Sequence, residues 1–240
     1  MPERLDKFLS SQNLGSRKDV SLLVRSGRVQ VNGQPAKDAA QKIAPETDLV
    51  TVDGAEVTYR KHLYLMMNKP AGVLSATEDS RAETVLDLLP PELRRRGLFP
   101  AGRLDKDTTG LLIITDDGDF AHRMLAPKSH VYKLYEAETL RPVTEEDVKA
   151  FASGITQGGQ TFAPARLWTE NRNDGEAALI EIREGKFHQV KRMFQVVGNQ
   201  VLALKRLKIG GLSLDETLPV GGVRLLTEEE IQSIFMANCT

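Results

Sequence analysis

The chain has 240 residues, 40% of them hydrophobic and 27% charged, a balance that suits one large domain or a small domain joined to a larger one and excludes disorder as the main state. Lysine and arginine number 32 against 33 aspartate and glutamate, a net charge of −1, so overall charge points to no class of partner. The single cysteine, Cys239, excludes a disulfide framework and a cysteine metal cluster and suits a reducing, cytosolic setting.

No window approaches the ~18 apolar residues of a membrane helix, and Glu3, Arg4, Asp6 and Lys7 interrupt any apolar signal core near the start. Leu5, Phe8 and Leu9 fall at i, i+3 and i+4 and predict a short helix. Ser16 offers an N-cap to a second helix with Val20, Leu23 and Val24 on one face and Gly27 at its end. Residues 28–34 alternate into an Asn32-Gly33 hairpin turn, and a strand over 48–52 ends at Asp53-Gly54. Charge is segregated here: residues 1–30 carry six basic and three acidic groups, residues 31–57 two basic and five acidic, so a small domain over 1–57 is strongly dipolar. Residues 58–62 read as its linker to a second domain over 63–240.

Beyond the linker, strands are expected over 63–67, 110–115, 131–139, 165–169, 177–183 and 201–208. Helices are expected over 82–89, 119–125, 144–153, 187–197 and 227–236. Several strands follow one another with no helix between them, which predicts an α+β domain with a large mixed, mostly antiparallel sheet flanked by helices. From Lys186 to Leu214 there are six basic residues and no acid.

Chemistry-bearing patterns are few. His62, His122, His130 and His188 are too scattered for a zinc site, and the glycine-rich phosphate and dinucleotide fingerprints are absent. Two segments stand out. In 101–110, Arg103, Asp105 and Asp107 place a guanidinium and two carboxylates on a loop between Gly102 and Gly110, before the apolar run Leu111–Ile114. Loops held at strand ends are favoured places for catalytic groups, although Asp-x-Asp beside Thr-Thr also fits a solvated turn. In 184–194, Phe187, Val190, Met193 and Phe194 predict the buried stripe of a helix, with Lys191 and Arg192 on another face.

These segments carry a family resemblance. Gly102-Arg-Leu-Asp-x-Asp-Thr-Thr-Gly-Leu-Leu112 resembles the catalytic motif of the pseudouridine synthases, Lys133-Leu-Tyr135 is similar to their Lys-x-Tyr strand motif, and Glu184-Gly-Lys-Phe-His-Gln-Val-Lys-Arg-Met193 resembles the third motif of the RsuA branch. Residues 3–57, with Arg-Leu-Asp-Lys, Gly-Ser-Arg-Lys and Val-x-Val-Asn-Gly, resemble the alpha-L RNA-binding domain first known in a ribosomal protein. The resemblance covers nearly the whole chain.

The resemblance implies isomerisation of uridine to pseudouridine in RNA with no cofactor and no metal. It implies Asp105 as the nucleophile, Lys191 as its cationic partner, Tyr135 against the uracil ring and Arg103 beside the extruded base. With it, Arg4, Lys7, Arg17, Lys18, Arg25, Arg28, Lys186 and Arg192 become candidate RNA contacts; Asp107 is left as loop structure. Phe-His-Gln-Val-Lys-Arg-Met favours the small-subunit member of the branch, hence uridine 516 of 16S ribosomal RNA in a partly assembled 30S particle, acted on by a monomeric cytoplasmic enzyme. The alternatives are a 23S ribosomal RNA enzyme of the same branch, a non-catalytic RNA-binding assembly factor, and a glycosidase with paired carboxylates.

Overall fold

The computed structural model describes residues 2–172 and 175–236; Cys239 lies outside them. The chain divides into two compact units, one of Met1–Leu63 with Leu89–Leu98, the other of Tyr64–Leu88 with Phe99–Thr240. None of the described helices is long and apolar enough to cross a membrane.

The small unit runs β1 (Glu3–Arg4), α1 (Leu5–Ser11), α2 (Arg17–Arg25), β2 (Val29–Val31), β3 (Gln34–Pro35), β4 (Lys42–Ile43), β5 (Val50–Val52) and β6 (Ala55–Glu56). Ser16 and Asp19 form a reciprocal capping box at the start of α2, satisfying two backbone N–H groups that a helix leaves open. Asn32-Gly33 and Asp53-Gly54 both have positive φ and join Val31 to Gln34 and Val52 to Ala55, the twist that two-residue hairpins require. Leu5, Phe8, Leu9, Val20, Val24, Val29 and Val50 form the core. The stretch expected as a linker packs on this unit: the Tyr59 ring lies 5.9 Å from that of Phe8, and Arg95 donates to the Arg60 and Lys61 carbonyls.

The large unit runs β7 (Tyr64–Lys69), β8 (Phe99–Ala101), β9 (Thr109–Thr115), α3 (Gly118–Leu125), β10 (Lys133–Thr139), α4 (Glu145–Ser153), β11 (Ile155–Gln157), β12 (Gln160–Phe162), β13 (Arg166–Arg172), β14 (Gly175–Ile182), α5 (Gln189–Val196), β15 (Val201–Ile209), β16 (Leu212–Ser213), β17 (Val223–Leu225) and α6 (Glu228–Ser233). Among the described residues nine strands make one sheet, in the order β13-β14-β10-β15-β9-β7-β17, with β16 on β15 and β8 on β9. Only β9 and β15 pair in parallel among these, so the sheet is mixed and mostly antiparallel, as expected. Residues 110–115 of β9 are buried throughout, which fits a central strand covered on both faces. Phe120 and Met124 of α3 pack with Leu111 and Ile113 of β9 on one face.

Two sequence expectations fail. Residues 82–89 are turns rather than a helix: Thr84 pairs with Leu74 as an isolated bridge, and its N–H and hydroxyl both donate to the Asp87 carboxylate, an alternative to helical bonding that short polar side chains offer. Phe187 is 68% exposed instead of buried, because α5 begins only after His188, whose φ is +49°.

Candidate active site

The segment 102–108 is the hairpin loop between β8 and β9, and its shape is fixed from below by one lysine. Lys69, at the end of β7, is fully buried and donates to the carbonyls of Pro70, Asp105, Lys106 and Thr108 at 3.0, 3.2, 3.3 and 3.0 Å. Burial pushes its pKa down from 10.5 to about 8, opposed by the nearby charges of Asp107 and Asp105. Ser75 both donates to the Leu104 carbonyl and accepts from the Leu104 N–H, and Gly72 donates to the Lys106 carbonyl at 2.7 Å.

The sheet sets what lies beside this loop. Register places Lys69, Gly110, Arg206, Tyr135 and Ile180 in one row across β7, β9, β15, β10 and β14. Gly110 has φ +95°, and a Cβ there would strike the Arg206 backbone carbonyl, so glycine is required for this close approach. Arg206 is 4% exposed; it donates to the Leu111 carbonyl at 2.7 Å and to the Tyr135 hydroxyl at 3.3 Å. Tyr135 is therefore held from behind while lining the same cavity as Asp105. Lys133, two residues earlier, is buried and its pKa falls to about 8 through burial and the Arg206 charge.

The third wall is the start of α5. Glu184 accepts from the Ala163 N–H and from the Gln189 amide, and Gln189 in turn accepts from the Lys186 N–H. This locked turn delivers Lys191, whose Nζ lies 3.3 Å from one Asp105 carboxylate oxygen and 2.6 Å from Asp107. The hydrogen bond from Lys191 holds the Asp107 carboxyl below the usual carboxylate range, with burial opposing. His188 Nε2 approaches the other Asp105 oxygen at 3.6 Å. The resulting cavity is open, with a carboxylate, a cation and an aromatic face converging in it: Asp105, Lys191, Tyr135, Arg103, Thr108 and His188 all line it.

Asp105, Tyr135, Lys191 and Arg103 are thus brought together. The proposed RNA contacts fare differently. Arg4 is paired with Asp6, Lys7 with Glu3 and Arg28 with Asp53, whereas Arg17, Lys18 and Arg25 are exposed on α2 with no ion-pair partner among the described residues. Lys186 pairs with Glu184 and bonds the Thr161 carbonyl. Arg192 is clamped by Gln157 and Gln160 and lies 4.9 Å from the Phe162 ring centroid. Sequence reading missed Lys69, Arg206, His188 and the link from Asp107 to Lys191. A lysine just after the apolar run 63–67 and before Pro70 was the available signal for Lys69; Arg206 stood out only as one of the six basic residues of 186–214, a span expected to meet phosphates, and it is buried instead.

Among known proteins, residues 63–196 match the family model described as RNA pseudouridylate synthase, and residues 3–50 match the S4 domain. An uncharacterized RNA pseudouridine synthase of Bacillus subtilis (strain 168) is 50% identical, with 95% of this chain and 96% of the relative covered. Ribosomal small subunit pseudouridine synthase A of Vibrio cholerae is 43% identical, with 97% and 99% covered; its Escherichia coli (strain K12) counterpart is 40% identical, with 96% and 99% covered. A solved pseudouridylate synthase structure superposes with a TM-score of 0.65 at 36% identity, over 97% of this chain and 99% of that one. The converging side chains and these full-length matches lead to one conclusion: the chain belongs to the RNA pseudouridylate synthase family, an S4 domain followed by a catalytic domain, and is an RNA pseudouridine synthase, an isomerase.

Proposed function

We propose that the protein isomerises one uridine of 16S ribosomal RNA, position 516, with Asp105 as the nucleophile. The observation that carries this reading is the pairing of a partly exposed Asp105 carboxylate with Lys191 at 3.3 Å, in a cavity that Tyr135 also lines. A carboxylate attacks as its anion, and the Lys191 ammonium beside it can hold the attacking oxygen in place. The Asp105 oxygen bonds ribose C1′ as the C1′–N1 bond breaks and its electrons leave with the uracil. The base turns, C5 bonds C1′ and displaces the carboxylate, the C5 proton is lost, and N1 takes up a proton. Atoms balance with no oxidant and no water consumed.

Tyr135 offers a ring face for the uracil while Arg206 holds its hydroxyl. Arg103, exposed at the rim, contacts the RNA where the base has left its stack, which offsets part of an extrusion cost of a few kcal/mol. Lys18 and Arg25, seven residues apart on α2 and so on one stripe, meet phosphates together with Arg17. The choice of small-subunit RNA is supported by relatives named for that activity, and a partly assembled 30S particle is the proposed form of the substrate.

The test is tritium release from RNA labelled at uracil C5, comparing 16S and 23S transcripts with their ribosomal proteins. Release from 16S at one site is expected; release only from 23S overturns the target, and release from neither overturns the reaction on ribosomal RNA.

A further inference from the structure

Phe187 combines two unfavourable features at one point. Its ring is 68% exposed, and the residue after it, His188, holds a left-handed backbone at φ +49°, a conformation that costs a non-glycine residue free energy. Helical continuation would have turned Phe187 inward with Val190, Met193 and Phe194, which are buried. Instead the ring lies against the His188 imidazole, with centroids 3.8 Å apart and planes at 18°. Lys186 and His188, the residues on either side, line the cavity that holds Asp105, so Phe187 stands at its rim. Of the cations that line the same cavity, Arg103 is exposed, while Lys186 is paired with Glu184 and Lys191 with Asp105 and Asp107.

We propose that the stacked Phe187–His188 pair is a platform for an RNA base next to the extruded uridine. The inference rests on the reading that this cavity takes a uridine out of its stack. Extrusion leaves a neighbouring base with a bare face, and an exposed aromatic ring backed by a second ring is the protein surface that covers such a face. The exposed Arg103 guanidinium on the same cavity matches an adjoining phosphate, which a lipid tail or an apolar peptide would not supply. Strain at His188 then has a purpose: it projects Phe187 outward while leaving the imidazole beside Asp105.

Because Phe187 is exposed, its replacement spares the core. Affinity for a 16S transcript, read by fluorescence anisotropy, is compared for the full chain and for Phe187→Ala, Phe187→Leu and Phe187→Tyr. Loss of base stacking weakens binding about tenfold in the Ala and Leu variants, while Tyr stays within about twofold of the unsubstituted protein; the KM for tritium release rises in step, with kcat changed less. Affinity unchanged in Ala, retained in Leu, or lost in Tyr as fully as in Ala overturns the platform. Failure of the unsubstituted protein to release tritium overturns the proposed reaction instead, and the affinities still decide the platform.

Discussion

Replacing Lys69 by methionine separates holding the fold from holding the loop. Methionine nearly matches the lysine stem in length and removes a buried ammonium. Of the four carbonyls that Lys69 bonds, Asp105 keeps the Thr108 N–H and Lys106 keeps the Gly72 N–H. The Pro70 and Thr108 carbonyls lose the donor that the lysine supplies, at about 1–3 kcal/mol each. Against that, the variant escapes the desolvation expressed in a pKa lowered from 10.5 to about 8, about 3 kcal/mol at 1.36 per unit. The two nearly cancel, so at pH 7 stability falls by no more than about 3 kcal/mol. Turnover falls about 100-fold, since Asp105 leaves its place by something like an ångström. The chain's one tryptophan, Trp168, lies on β13 of the large unit and reports its urea unfolding while tritium release reports chemistry. The pH signature is distinct. Between about 8 and 10.5 the unfolded lysine still holds a proton that the folded one has released, so stability rises with pH across that window. The methionine variant loses the Lys69 share of this rise and keeps only the share that Lys133, also lowered from 10.5 to about 8, supplies. Full turnover in Lys69→Met, or a parallel pH profile, refutes the reasoning.

Asp105→Asn removes tritium release while anisotropy shows RNA affinity within about threefold of the unsubstituted protein, since the loop is held through backbone carbonyls rather than the Asp105 carboxylate; measurable turnover in that variant sinks the nucleophile assignment. Charge reversal at Lys18 and Arg25 together weakens RNA binding and lowers the slope of log affinity against log salt by about 0.7 per lost phosphate contact; an unchanged slope removes α2 from the interface. Asp147 is 3% exposed and accepts two bonds from Arg141 and one from the Thr144 N–H. Asp147→Ala accordingly destabilises the large unit by about 2–3 kcal/mol, discounted for the partly exposed arginine. The bond from Arg141 holds its carboxyl below the ordinary 3.8, so this contribution is complete above that pH and is lost on acidification through the lower folded value. Trp168 fluorescence against pH tests both, with a gap between the two proteins that closes in acid.

Local signals were legible wherever a short stretch of sequence settles its own geometry. Ser16 with Asp19, Asn32-Gly33 and the apolar run 111–114 each specify a cap, a turn or a buried strand from within a few residues. The failures share a cause in distant partners. Residues 82–89 have enough apolar spacing for a helix, yet Thr84 finds Leu74 and Asp87 instead. Phe187 has the right period for the core and is displaced by a single left-handed residue. At the site, Asp105 and Lys191 were legible as motif members, whereas Asp107 reaches Lys191 across 84 positions and its role is invisible locally. Lys69 and Arg206 hide for the same reason. Nothing beside either residue in the chain explains its charge, and what each orients lies on a distant loop or strand.

The site depends on where the sheet breaks its antiparallel rule. Pairing β9 with β15 in parallel sets the loop before β9 beside the strand that follows α5, so a crossover connects the two halves of the cavity wall. The row from Lys69 through Gly110 and Arg206 to Tyr135 then does two jobs at once: its first member grips the Asp105 loop, and its last faces that loop across the cavity. A slip of one residue anywhere in the row would turn the side chains of that strand to the opposite face. The chain guards the register at its tightest point with a glycine, because a methyl group at 110 meets backbone, which cannot rotate away. The geometry of the candidate site and the sheet register are therefore one constraint, and Gly110 within the 102–112 segment serves the sheet as much as the loop.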